Sequence, residues 1–220
     1  PRVFIVTDLE GVGGVNSAEE QLLPGQRRYE ESRRLLVGEL KAAVDGALKA
    51  GASEVVIWDG HDGSRTLAID DIPPSAKLIQ GKPTPANYYL SDRGFDGILF
   101  VGQHAMAGTK NGVLAHSQGF GVQNIFINGK AVGEIGQTAA IAGYFNIPVI
   151  MLAGDQAACV YYAVIHDNAR LRGEADRASI ASDQAKYGGL LFAERAHVLT
   201  EQVAQLDLVH LQIAANQRQN

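Results

Sequence analysis

Five acidic or histidine side chains of this 220-residue sequence follow runs typical of strands or hairpins, so they lie where such elements end. They are Asp8, Glu10, His61, His104 and Glu134. Two imidazoles and three carboxylates without a thiolate form a mixed nitrogen and oxygen ligand set. Such a set suits Zn²⁺, Mn²⁺, Co²⁺ or Fe²⁺ better than Ca²⁺ or Mg²⁺. Five ligands are too many for one tetrahedral catalytic site with an open position, but they suffice for two ions if one carboxylate bridges them. The residue types therefore predict a two-metal site.

Each of these side chains also has an ordinary structural explanation when it is taken alone. Asp8 and Glu10 could cap the turn after a strand, and His61 could be a polar loop residue. Glu134 could be an acid that the helix dipole favours in a first helical turn. His104 is harder to explain in this way, because it ends a strand of apolar and glycine residues. The five together favour one shared site.

Other titratable residues are interpreted more simply. His166, His197 and His210 lie in a helical tail and are expected to be structural or surface residues. Asp59 and Asp155 also end strands, and we expect them to hold an imidazole or a loop rather than to bind metal directly. None of these five residues is assigned to the predicted metal site.

A glycine-rich turn, Gly11-Val12-Gly13-Gly14, follows the first predicted strand. It fails as a dinucleotide fingerprint because Asn16 stands where the third glycine belongs, and it lacks the Gly-Lys-Ser/Thr ending of a phosphate-binding loop. The sequence also has no Gly-x-Ser-x-Gly elbow, so Ser117 is not activated merely by its neighbour His116. No nucleotide cofactor-binding residue is predicted. We expect the turn to let the backbone approach the metals or the substrate closely.

The elements that must position these residues alternate between strand-like and helix-like patterns through about residue 155. Strands are predicted at 3–6, 54–59, 76–79, 97–102 and 148–152, helices at about 26–50 and 134–145, and a hairpin at Asn128-Gly129. This alternation predicts an α/β fold with a mostly parallel sheet flanked by helices, plus a small hairpin. Because ligands bind beyond the carboxyl ends of strands in open α/β sheets, we expect the candidate metal ligands to meet at one edge.

The sequence changes character near residue 156. Residues 1–156 are predicted to form the α/β metal-binding catalytic domain. Residues 157–220 are rich in Ala, Gln and Arg, show little strand pattern, and predict a helical C-terminal region. We expect this region to pack on the catalytic domain and to contribute to the substrate pocket or to an oligomer.

The bulk composition narrows the partners and the location. The formal net charge of −5, without a basic stripe, argues against nucleic-acid binding. No apolar run approaches the ~18 residues of a membrane-spanning helix, so no membrane association is expected. Cys159 is the single cysteine, which excludes an intrachain disulfide and fits a reducing compartment. Together with the absence of a leader-like opening, these features predict a cytoplasmic protein.

The motifs around these residues resemble those of a known family. Asp8-Leu9-Glu10-Gly11-Val12-Gly13-Gly14 resembles the opening motif of the zinc-dependent D-aminopeptidases of the M55 peptidase family, the DppA type. The segments at 59–61, 102–109, 116–117, 127–136 and 148–155 resemble the same family in the same order. The resemblance covers roughly the first 156 residues and fades beyond Asp155.

The resemblance implies a specific site and activity. It places the ligands of two divalent ions per subunit, zinc in this family, on the five residues named above, with Asp8 as the bridging carboxylate and His116 as the catalytic histidine. It implies an aminopeptidase that hydrolyses N-terminal residues, D-amino acids such as D-Ala, from short peptides or amides. His116 would stabilise the intermediate or protonate the leaving amine. A ring-shaped homo-oligomer, such as a decamer of stacked rings, is also implied.

Two other functions use the same residues. The first is hydrolysis of another amide or of a phosphoester. Phosphoester chemistry normally needs fixed cations, and Arg65 and Lys110 are the only basic residues close in sequence to the motifs. The second is a non-catalytic metal-binding homologue, against which the intact His116 argues.

Overall fold

A computed structural model describes residues 1–82, 90 and 94–159 of the chain. Its elements, in chain order, are β1 (Arg2–Thr7), α1 (Ala18–Gln21), α2 (Tyr29–Lys49), β2 (Glu54–Asp59), a 3₁₀ helix (Ile69–Asp71), β3 (Ala76–Ile79), β4 (Gly97–Gln103), β5 (Ile125–Ile127), β6 (Lys130–Val132), α3 (Glu134–Tyr144) and β7 (Val149–Gly154). The predicted helical C-terminal region, with its three histidines, lies outside the described residues from 160 onward.

Five strands form one parallel sheet in the order β3-β2-β1-β4-β7. The prediction of a mostly parallel sheet flanked by helices is therefore confirmed. β1 is central, and its last residue, Thr7, lies opposite Asp59 of β2 and Val101 of β4. The strand order reverses between β1 and β4, which makes this point of the carboxyl edge a crevice where open α/β sheets bind ligands.

Helix α2 covers one face of the sheet because its apolar residues recur at three- and four-residue steps. Leu36, Leu40 and Val44 are fully buried and belong to the same apolar cluster as Ile5 and Ile57 of the sheet. Burying each such side chain contributes roughly 1.5–3 kcal/mol, so the pattern that predicted the helix also fixes which face it packs on.

Both ends of α2 depend on glycine conformations. Gly51 ends the helix at a φ of +91°, and its N–H donates to Leu48 O at 3.0 Å, as is common for a glycine that ends a helix. The helix begins at Tyr29 rather than near residue 26, because Gly25 has a φ of +87° and Gln26 Oε1 accepts the backbone N–H of Leu22 at 2.6 Å. The turn at residues 22–26 therefore replaces the first helical turn that the pattern predicted.

The second face of the sheet packs against α3. Phe4 and Phe100 are fully buried in an apolar cluster with Ala139 and Ala142 of the helix, whose small side chains allow close packing. α3 follows the antiparallel hairpin β5–β6, whose turn residues Asn128 and Gly129 both have positive φ, as the predicted two-residue turn requires. Among the described residues, no helix combines the length and apolarity needed to cross a bilayer.

Candidate metal centre

The residues that follow β1, β2 and β4 meet beyond the carboxyl edge of the sheet. Asp8, Glu10, His61 and His104 are each at most 5% exposed, although they are distant in sequence. Glu134, the first residue of α3, reaches the same place with its side chain 22% exposed. The structure thus brings together all five side chains that the sequence singled out, and the sixth, His116, lies beside them.

Close contact between the backbones after β1 and β4 makes this convergence possible. Gly11 N–H donates to Gly102 O at 2.8 Å, and Gly102 adopts a φ of +77°. A Cβ on Gly11 would lie 1.8 Å from Gln103 O, and one on Gly102 would lie 2.1 Å from Asp8 O. The glycine turn does allow close backbone approach, but its partner is the backbone of β4.

The two carboxylate oxygens of Asp8 face two different histidines. Oδ1 lies 3.2 Å from His61 Nδ1 and accepts the Leu9 N–H at 2.8 Å. Oδ2 lies 3.3 Å from His104 Nε2 and accepts an N–H from the Gln103 amide at 3.1 Å. Asp8 therefore stands at the middle of the cluster.

Two glutamates complete the cluster on either side of Asp8. Glu10 Oε2 lies 3.0 Å from His61 Nδ1, and Glu134 Oε1 lies 3.3 Å from His104 Nε2. Glu134 is held in place by the Gln118 backbone N–H, which donates to Oε1 at 2.8 Å. The result is two neighbouring groups of donor atoms that share Asp8.

Each of the three histidines in the cluster has one ring nitrogen fixed by a backbone carbonyl at 2.9 Å. The three contacts are His61 Nε2 with Leu22 O, His104 Nδ1 with Ala105 O, and His116 Nδ1 with Leu114 O. Since a carbonyl only accepts, the fixed nitrogen must carry the proton, and the other nitrogen faces the carboxylates. Metal-binding histidines characteristically have this arrangement.

The buried carboxylates change the protonation of the imidazoles. Burial alone would lower the pKa of His61, but hydrogen bonds with Asp8 and Glu10 outweigh it and raise this pKa to about 11. The pKa of His104 is likewise raised to about 11, against burial, by Asp8 and Glu134. The two protonated rings balance the buried negative charge that divalent cations would otherwise balance.

The remaining pKa shifts follow from the same crowding of buried carboxylates and imidazoles. Burial would raise the pKa of Asp8, but His104 and His61 hold it well below its usual range. Burial and then the charge of Asp8 raise the pKa of Glu10 to about 7. Burial and then the positive charge of His104 lower the pKa of His116, which favours its neutral form.

The donor atoms fit divalent metal ions. One buried group is formed by Asp8, Glu10 and His104, and a second by His104, His116 and Glu134, with the donor atoms of each group within 4.8 Å of one another. His104 Nε2 is buried and makes no hydrogen bond of acceptable geometry, although carboxylate oxygens lie 3.3 Å away on two sides. His104 Nε2 and the carboxylate oxygens of Asp8 and Glu134 therefore surround one position without bonding to each other directly. Nitrogen and oxygen donors of this kind suit zinc.

His116 is held between two other rings. Its imidazole stacks on His104 with centroids 3.9 Å apart and on Phe120 with centroids 4.4 Å apart. Its Nε2 lies 3.6 Å from Glu134 and 3.9 Å from Glu10. His116 therefore faces the same donor atoms but is further from them than His61 or His104.

Asp59 and Asp155 hold loops, in agreement with one of the two roles expected of them. Asp59 Oδ2 accepts the Leu67 N–H at 2.9 Å. Asp155 Oδ2 accepts the N–H of Val113 at 3.1 Å and of Ala105 at 3.4 Å, and so fixes both ends of the segment between His104 and His116.

The sequence profile of the Peptidase_M55 family, described as D-aminopeptidase, matches residues 2–172. The chain belongs to the M55 peptidase family. The match includes all six residues of the cluster and extends beyond residue 156, so the domain boundary predicted there stays a prediction.

A curated D-aminopeptidase and a solved D-aminopeptidase structure are similar to this chain. A D-aminopeptidase of Bacillus subtilis (strain 168) is 36% identical over 158 residues, which are 71% of this chain and 57% of that protein. The chain therefore spans little more than half of this relative. The solved structure of the Zn-dependent D-aminopeptidase DppA from Bacillus subtilis, a self-compartmentalizing protease, superposes with a TM-score of 0.64 at 28% identity. It covers 93% of this chain and 73% of that one.

Sequence reasoning missed two side chains of this M55 site. Gln103 is a polar residue at the end of the otherwise apolar strand β4, and this polarity was the available signal. Phe120 contacts the site although the residue is 58% exposed, and nothing in its local pattern distinguishes it from a loop aromatic.

Proposed function

We propose that this M55 chain is a metallo-aminopeptidase that binds two divalent cations, zinc ions, in the cluster around Asp8. The observation that carries the proposal is that the two oxygens of Asp8 face two buried imidazoles, at 3.2 Å and 3.3 Å. On the shortest contacts, Asp8, Glu10 and His61 would hold one cation, and Asp8, His104 and Glu134 the other. His116 shares a donor group with His104 and Glu134 but lies further from the carboxylates. A carboxylate shared by two such groups would hold two cations close together, as two-metal hydrolysis needs.

Zinc in such a site supplies Lewis acidity, which polarises a carbonyl and makes water more acidic. The chain itself supplies the proton transfer. With Nδ1–H fixed on Leu114 O, neutral His116 presents the lone pair of Nε2 to the cluster. Nε2 can take the proton of the attacking water and give it to the amine nitrogen as the carbon–nitrogen bond breaks.

The substrate is proposed to be a short peptide or amide with an N-terminal D-amino acid such as D-Ala. This proposal is supported by the D-aminopeptidase description of the family and by the relative of that name. The net charge of −5 is consistent with a small substrate rather than a nucleic acid or an anionic membrane surface. A cytoplasmic location, consistent with the single cysteine, belongs to the same proposal.

We further propose that the chain assembles into a ring-shaped homo-oligomer. The related DppA structure is that of a self-compartmentalizing protease. In this chain Phe120, Val122 and Phe126 are exposed on one short stretch of sequence, and exposed apolar groups of this kind are typical of interfaces.

Metal analysis combined with matched peptide assays tests the activity. We expect about two zinc ions per chain and release of the N-terminal residue from D-Ala peptides, abolished by a chelator and restored by zinc. Preference for the L-Ala peptides would contradict the proposed stereochemistry. Hydrolysis of nitrophenyl phosphate without any amide hydrolysis would contradict the aminopeptidase proposal and favour a phosphoesterase. Phosphoester hydrolysis normally needs fixed cations, and the two basic residues near the motifs, Arg65 and Lys110, are both exposed.

A further inference from the structure

Gln103, the last residue of β4, is buried beside the proposed metal ligands with only part of its amide satisfied. Its side chain donates from Nε2 to Asp8 Oδ2 at 3.1 Å. Its Oε1 is buried and has no hydrogen-bond partner, and the residue is 3% exposed. A buried amide oxygen without a partner is less favourable than an apolar side chain of the same size. The hydrogen bond from Gln103 Nε2 to Asp8 is the favourable contact that a glutamine makes at this position.

The hydrogen bond from Gln103 restricts the rotation of the Asp8 carboxylate. This rotation is soft, because the torsion joins a tetrahedral carbon to a planar group. Two N–H groups oppose it, since Leu9 N–H holds Oδ1 at 2.8 Å and Gln103 holds Oδ2. With both in place, one oxygen faces His61 and the other faces His104.

The backbone of Gln103 is fixed independently of its side chain. Its carbonyl accepts the Asp155 N–H at 3.1 Å and packs against Gly11 and Gly154, where an added Cβ would lie 1.8 Å and 2.0 Å from it. A substitution of the side chain should therefore leave the end of β4 in place. The effect on Asp8 can then be measured without moving His104.

We propose that Gln103 is a positioning residue that holds Asp8 in the orientation in which one carboxylate serves both cations. The inference rests on the proposed function, because it takes Asp8 to be the shared ligand of two ions. Gln103 touches neither substrate nor cation in this role and acts only through Asp8.

The test replaces the amide with apolar groups of similar size. We expect Gln103→Leu to fold, and to bind the second of two zinc ions about 10–100-fold more weakly than the wild type in calorimetric titrations. The visible spectrum of the cobalt-loaded protein should change, because the coordination by Asp8 changes. Gln103→Met, which keeps the unbranched chain, is a second variant in case leucine disturbs the packing. Gln80→Leu is the control at a glutamine that does not contact Asp8, since Gln80 is exposed and donates to the backbone carbonyl of Leu67 at 2.6 Å.

The outcomes separate this inference from the proposed function. If both Gln103 variants bind two ions with wild-type affinity and an unchanged cobalt spectrum, the positioning role is wrong and the proposed function stands. An equal loss of zinc affinity in Gln80→Leu would also overturn it, because the effect would then not depend on Asp8. A wild-type protein that binds no zinc would instead contradict the proposed function itself.

Discussion

At the scale of single residues, the three imidazoles of the site have different surroundings. His61 and His104 each lie within 3.3 Å of two carboxylates, whereas His116 lies 3.6 Å and 3.9 Å from its two. Distance and the lowered pKa of His116 both favour a proton-transfer role for that ring. The two closer histidines are suited to hold metal.

His116→Ala is expected to reduce kcat by about 10²–10⁴-fold while the zinc content stays that of the wild type, because a general acid–base is lost without a ligand. His104→Ala should lose both zinc and activity. Elemental analysis and D-Ala peptide kinetics on the same preparations measure the two effects. Loss of an ion in His116→Ala would show that His116 is a ligand, a role that its place near His104 and Glu134 would allow.

Phe120 is expected to keep His116 in position from the solvent side. Removing its ring in Phe120→Ala takes away one face of the stack, and since such pairs contribute about 0.5–1.5 kcal/mol, kcat should fall by up to about tenfold. Phe120→Tyr keeps the ring and should retain the wild-type kcat. Steady-state kinetics measure both variants, and a change confined to KM would instead indicate that Phe120 contacts only the substrate.

At the scale of elements, the contact between the ends of β1 and β4 determines whether the site can form. Gly11→Ala should destabilise the fold by more than about 3 kcal/mol, because its Cβ would lie 1.8 Å from Gln103 O. Gly38→Ala is the control within α2. Nothing lies within 4 Å of its added methyl group, so it should stabilise the fold by up to about 1 kcal/mol. Urea unfolding curves compare the two, and equal midpoints would contradict the close-contact argument.

Most of the helices and strands could be predicted from the sequence, because local residue patterns encode them. The strands, α2, α3 and the hairpin followed from apolar periodicity and from turn residues such as Asn128 and Gly129. The short helix α1 did not, because side chains rather than periodicity stabilise its surroundings. Gln21 Oε1 accepts the N–H of Asn16 at 2.9 Å and of Ser17 at 3.0 Å.

The sequence predicted which charged residues belong to the candidate site but not which of their atoms contact each other. The residue types and their places after strands identified Asp8, His61 and His104 as candidates. Which oxygen of Asp8 faces which imidazole depends on the register of β1 against its two neighbours, and sequence spacing does not contain that information. The same holds for the contact of His61 with Leu22 O, which joins residues far apart in the chain.

For the whole molecule, zinc should be a stabilising ligand because its proposed donors come from separate parts of the sheet. Zinc at 100 times its Kd should stabilise the fold by about 2.7 kcal/mol, which raises the Tm by about 5–10 °C. A chelator should reverse the shift. Asp8→Ala should lack it, because Asp8 is the proposed shared ligand. Differential scanning fluorimetry measures the change, and an equal shift in Asp8→Ala would contradict a zinc site at this position.

The proposed ring assembly predicts a role for the exposed apolar stretch at 120–126. Three of the seven large exposed apolar side chains among the described residues lie there, and Phe126 is 63% exposed. Phe126→Asp should lower the mass of the particle measured by light scattering, because a charge would have to be buried between copies. Ile69→Asp, at a residue 67% exposed outside this stretch, is the control. An unchanged mass for Phe126→Asp would exclude this stretch from the interface.

Each of the imidazoles of His61, His104 and His116 has one ring nitrogen directed at a main-chain oxygen, from Leu22, Ala105 and Leu114 respectively. No substitution at those three positions removes the acceptor, because every amino acid carries the same carbonyl. Packing still limits the size of the side chains at the buried positions Leu22 and Ala105, but these hydrogen bonds do not depend on side-chain identity. Insertions or deletions that displace these carbonyls would turn the rings, so loop length should vary less than loop composition around this site.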